Sequence, residues 1–164
     1  MPVQDPLQGP PYELSAPEGE SFDPSFDPDL TPSQMLSLGV FGGDYFPAAM
    51  LGEFPASWLD RAKISDHGKD ISLNHFGVDA SQSREEWIRK GWITDQDPLG
   101  WFQWYCRYYL GRRTPAEDAR QIKRWKQMVR HAAQVRSACR AGDATCHTKQ
   151  RQALLHWAYD SRKL

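Results

Sequence analysis

A mainly α-helical domain is expected from three features of the chain. Helix-opening pairs recur, Thr31-Pro32, Asp97-Pro98 and Thr114-Pro115, and each is followed downstream by a glycine stop at Gly39, Gly111 and Gly142. Residues 116–141 contain neither glycine nor proline. Nowhere does the chain alternate apolar and polar residues with the period of two that a half-buried strand requires.

The first element is expected after Thr31, where Pro32 suits the first helical position and Gln34 completes a capping box. Between Gly39 and Ser83 the chain is irregular and glycine-rich, with one short helix expected from Ala56 to Lys63 behind Pro55. Long loops need apolar anchors, and Phe41, Tyr45, Phe46, Phe54 and Phe76 supply them here. Gly39-Val40-Phe41-Gly42-Gly43 matches neither phosphate-loop pattern. Ser83 and Glu86 form a second capping box, closed by Gly91. A third helix is expected over 98–110 and a fourth over 115–140, about 39 Å long at ~1.5 Å per residue. Asp143 or Thr145 can cap a last helix over 147–160.

Residues 1–30 are expected to be an acidic, proline-rich tail. Eight of the 12 prolines fall within residues 1–32 together with seven carboxylates, so the tail is expected to be extended or disordered. Phe22, Phe26 and Leu30 can pin it to the body. Residues 31–164 are then one helical domain, with a loop-rich acidic part at 31–97 and a basic helical part at 98–164. At 164 residues, 40% hydrophobic and with seven tryptophans, the chain can bury a core, which excludes wholesale disorder. No apolar run approaches the ~20 residues of a membrane span. The N-terminal residues lack a secretory pattern, so a soluble, cytoplasmic protein with no membrane partner is expected.

The net charge of −1 hides a strong asymmetry. Residues 1–100 carry six basic and 17 acidic side chains, whereas residues 101–164 carry 14 basic and four acidic ones. Such a split points either to halves that neutralise each other or to a basic half with a polyanionic partner. On a helix Arg120, Lys123, Arg124, Gln127, Arg130 and Gln134 share one face, and no acid occurs from Ala119 to Gly142. Ile122, Trp125, Val129, Ala132 and Ala133 are expected on the opposite, inner face. Cations on such a face suit phosphates, and Gln can read base edges.

The candidate nucleic-acid contacts are therefore Arg112, Arg113, Arg120, Lys123, Arg124, Gln127 and Arg130. DNA or RNA is the expected partner, an acidic protein the alternative. In a further reading the chain is an enzyme whose site lies between the acidic loops and the basic helix. A tail lying over the basic helix would compete with the polyanion.

The run from Trp101 to Leu110 is aromatic on nearly all sides, as in the centre of a bundle, and in a second reading it is a stacking platform for bases. Cys106, Cys139 and Cys146 are expected as small, buried or half-buried thiols. With His131 or His147 they offer a weak zinc set, and a Cys139–Cys146 disulfide is disfavoured in a reducing compartment. His67 with Asp66 and Asp70 is a possible loop-borne acid–base or metal group. No cofactor or metal is assigned, and no catalytic signature stands out.

Overall fold

The computed structural model describes residues 7–164, and residues 1–6 of the expected tail lie outside the described residues. Among the described residues there are helices, turns and loops but no strand. Helix α1, Pro32–Ser37, starts as the sequence dictates: Thr31 Oγ1 accepts from the Gln34 N–H and Gln34 returns the bond to the Thr31 N–H. It buries Met35 and Leu36. Helix α2, Arg84–Arg89, is capped by Ser83. Between them the chain winds through short 3₁₀ turns, anchored by buried Phe46, Met50, Phe54 and Trp58. The helix expected over 56–63 is one of these turns, Ala56–Leu59.

Helix α3, Trp101–Leu110, is the centre of the molecule, and its residues from Trp101 to Tyr108 are all buried. It begins three residues later than expected because Gly100 adopts a non-helical, positive φ of 105°. Each polar group it buries has a partner. Tyr105 OH donates to the Leu30 carbonyl, and Trp104 Nε1–H donates to Asp118 Oδ1. The aromatic run is core along its length, and Trp101 and Phe102 at its start also border a cavity.

The single helix expected over 115–140 is two helices. Helix α4 spans Pro115–Gln127 and helix α5 spans Val129–Ala138, with a tight turn at Met128. There the Met128 and His131 N–H groups bond three residues back, to Trp125 and Met128 carbonyls. The two helices answer to different partners. Trp125 on α4 is packed edge-on to Phe26 and stacked on Tyr159. Ala132 and Val135 on α5 instead pack with Leu154 of helix α6, Thr148–Leu155. The break rotates the inner face, so Val129, expected inside, is 54% exposed, and Ala133 is exposed too.

Residues 7–30 run extended against α3 and share its core. The Ser15 and Ala16 N–H groups both bond to the Gly111 carbonyl, and the Gly19 N–H bonds to the Tyr109 carbonyl. The approach is close enough that a Cβ at Gly111, whose φ is 120°, would lie 2.0 Å from the Ala16 oxygen. Phe26 and Leu30 are buried in the main cluster, so two of the expected anchors enter the core and Phe22 packs against its edge.

Cys139 and Cys146 are joined by a disulfide that ties the end of α5 to the start of α6. This corrects the expectation of free thiols at those positions: the turn between the helices brings the two Cα atoms to 5.8 Å, within bridging reach. Cys106 is a free thiol buried in α3, and burial pushes its pKa up. No helix is long and apolar enough to cross a membrane among the described residues.

Candidate functional site

Part of the charge split is resolved inside the fold. Arg107 donates from Nε and Nη2 to Glu53 at 2.7 and 2.8 Å and from Nη1 to Asp97 at 3.1 Å. Arg112 completes the network with paired bonds to both Asp97 oxygens, 2.9 and 2.6 Å. It is only 4% exposed. Two acids of the first half thus neutralise two cations of the second. Arg113 lies over the Tyr108 ring at 3.8 Å and donates to the carbonyls of Tyr108, Arg112, Glu20 and Ser21. Of the expected contact set, Arg112 is therefore buried in the core, while Arg113 stays half-buried and bonded to the N-terminal segment.

The other five residues are brought together. Arg120, Lys123, Arg124 and Gln127 from α4 and Arg130 from α5 all line a cavity of about 680 Å³. The i, i+3, i+4, i+7 spacing aligns the four α4 residues, and the turn at Met128 still leaves Arg130 and His131 on the same rim. Gln134, expected on this face, instead accepts from Gln150 of α6.

Beneath the rim the walls are aromatic and come from four separate regions. Trp101 and Phe102 are from the start of α3, Trp87 from α2 and Trp92 from the loop after it. His156 and Trp157 follow α6, and Phe41 and Tyr45 come from the glycine-rich turn. In that turn Phe41 holds a left-handed φ of 58° between Gly39 and Gly42, also left-handed. Such a conformation costs a non-glycine residue about 1–3 kcal/mol and persists only where the surroundings enforce it. Here it lays the Phe41 ring on His156, with centroids 4.3 Å apart.

No carboxylate lines this cavity among the described residues. Lys123 and Arg130 are exposed and have no ion pair among the described residues. Arg120 is held by both oxygens of Glu117 at 3.1 and 2.9 Å. Arg124 is the inner cation. Its guanidinium lies 5.4 Å from the Trp92 ring and 5.3 Å from the Trp157 ring, and donates to Gln121 Oε1. Burial, helped by nearby Arg120, lowers its pKa to about 10, so it stays charged at neutral pH. A concave aromatic site with donors and positive charge at its mouth accepts a flat ring carrying an anionic group.

His156 is the residue that sequence reading missed, and no spacing rule marks it. It is 2% exposed, its Nδ1 accepts from the Phe41 N–H at 3.3 Å, and burial lowers its pKa to about 3. The other expected groups lie elsewhere. His67 bonds Asp66 and Asp70 on an exposed loop, and the Asp66 hydrogen bond raises its pKa. The Sγ atoms of Cys139 and Cys146, which lie with a His147 nitrogen within 4.8 Å, are bonded to each other rather than held as thiolates. Cys106 sits in the other core cluster. No family model matches the chain, and neither a curated protein nor a solved structure matches it.

Proposed function

We propose that this chain binds single-stranded nucleic acid, DNA or RNA, by seating a base in the aromatic cleft and its phosphates along the rim. The observation that carries the reading is the composition of the cavity. Tryptophan and phenylalanine faces stand beneath Arg120, Lys123, Arg124 and Arg130, with no carboxylate among the described lining residues. Bases stack on such rings irrespective of sequence, while the cations meet the backbone. A duplex fits less well, because its bases are paired in the stack and reach a concave pocket only by flipping out. An acidic protein partner would use the rim but leave the aromatic walls without a role.

A cytoplasmic location belongs to the same proposal. In that compartment reductants would open the Cys139–Cys146 bond without touching the cleft, whose lining includes neither cysteine. The test is quenching of tryptophan fluorescence by octamers of thymidine and uridine between about 50 and 200 mM salt. With three rim phosphates neutralised, the slope of log affinity against log salt should be about −2. A flat response rejects the reading.

A further inference from the structure

Among the described residues the cleft lining has one buried side-chain polar atom that the protein itself leaves without a partner. Tyr45 spends its hydroxyl internally, donating to the Leu99 carbonyl at 2.5 Å and accepting from the Gln103 N–H at 3.1 Å. Trp101 donates its Nε1–H to the Gln121 carbonyl at 3.2 Å. His156 differs. Because its Nδ1 accepts from the Phe41 backbone N–H, the ring proton of the neutral imidazole must sit on Nε2. That Nε2–H is buried and has no partner among the described residues, on a side chain that forms part of the cavity wall.

A buried donor left unmade is costly, and native proteins satisfy nearly all of them. The imidazole is also fixed in place. Phe41 lies on its face, and the backbone bond holds Nδ1 on the Phe41 N–H. What remains is a rigid, uncharged, donor-only group in the wall of an aromatic site. The group it would meet is an acceptor on a flat ring. An oxo group satisfies it, whereas an amino group in the same place would set two donors against each other.

Resting on the nucleic-acid reading above, we propose that His156 Nε2–H is the base-reading donor of the cleft and selects bases with an oxo group at pyrimidine C4 or purine C6. Thymine and uracil carry that oxygen at C4, where cytosine carries an amino group. Guanine carries it at C6, where adenine carries an amino group. Arg124, the inner cation of the same wall, is also a donor only, which reinforces the preference for acceptors.

The experiment compares octamers of thymidine and deoxycytidine, and 5′-thymidine monophosphate, on the full chain and on two variants. His156→Gln places a side-chain amide donor near the position of Nε2, whereas His156→Asn is too short to do so. The wild type should bind the thymidine octamer about tenfold tighter than the deoxycytidine octamer. His156→Gln should keep most of that preference and His156→Asn should lose it. The His156 Nε2–H resonance, read by ¹H–¹⁵N NMR, should move downfield on adding the thymidine octamer.

Equal affinity for the two octamers, or an imidazole proton found on Nδ1, overturns the inference even if both octamers bind in a salt-dependent way. If the monophosphate binds as tightly as the octamer with the His156 signal shifted, the donor role stands. The strand-binding reading then fails in favour of a free nucleotide. If none of the three probes binds, both readings fall.

Discussion

The backbone N–H of Phe41 donates to Nδ1 of His156 at 3.3 Å while the Phe41 ring lies within 19° of parallel on the imidazole. One residue thus fixes the tautomer and the orientation of another that is 115 positions away in the chain.

Acid should therefore destabilise the fold through this pair. Burial, assisted by Lys69, moves His156 from its usual 6.5 to about 3, with Asp79 opposing weakly. Between those values the unfolded chain binds a proton at this position and the folded chain does not. Stability is then complete above the unfolded value and declines on acidification, by up to about 1.4 kcal/mol per pH unit from this group. Urea unfolding between pH 7 and 4.5 should show a shallower decline in His156→Gln than in the wild type.

Asp97 should matter for stability and not for binding. It is the partner of Arg112 at both oxygens and of Arg107 at one. Asp97→Asn leaves Arg112 buried without a counter-charge, a loss of about 3–5 kcal/mol. Chemical denaturation should show this, while the affinity of the folded protein for a thymidine octamer stays unchanged because neither residue lines the cleft.

Lys123 and Arg130 should behave in the opposite way. Both are exposed on the rim. Replacing either with alanine should change stability by less than about 0.5 kcal/mol, since no burial is lost. The salt slope of octamer binding should become shallower by about 0.7 for each phosphate contact removed. Fluorescence titrations at several salt concentrations read this directly.

Reducing the Cys139–Cys146 bond should lower stability by about 2 kcal/mol, the loop-entropy value for so short a loop. Differential scanning calorimetry with and without a dithiol reductant measures the shift. Octamer affinity should be the same in both states, because the bridge lies at the junction of α5 and α6 and outside the cleft lining.

The caps were legible because they are local. Thr31 with Gln34, Ser83 ahead of Glu86 and Gly111 after Leu110 each act within four residues, and each appears where expected. The shared face of Arg120, Lys123, Arg124 and Gln127 was legible for the same reason, since helical geometry sets it. The turn at Met128 was not. No glycine or proline marks it, and it arises because Trp125 and Val135 are held by different neighbours. Phe26 and Leu30 stood out as anchors, but nothing local says that residues 7–30 follow α3 and take up the Arg113 guanidinium in bonds to the Glu20 and Ser21 carbonyls.

The charge asymmetry of the chain could be counted from composition, but its meaning depended on distance in space. Arg107 and Arg112 find carboxylates 54 and 15 positions away and vanish into the core, whereas Lys123 and Arg130 remain at the mouth of a cleft. Local spacing establishes a helical protein with a basic stripe, since helix periodicity and capping act over a few residues. Which cations stay available, and which aromatic rings stand beneath them, follows from packing. Burial is a property of neighbours brought together by the fold, and Phe41, Trp92, Trp101 and His156 become one wall only after the chain has closed on itself.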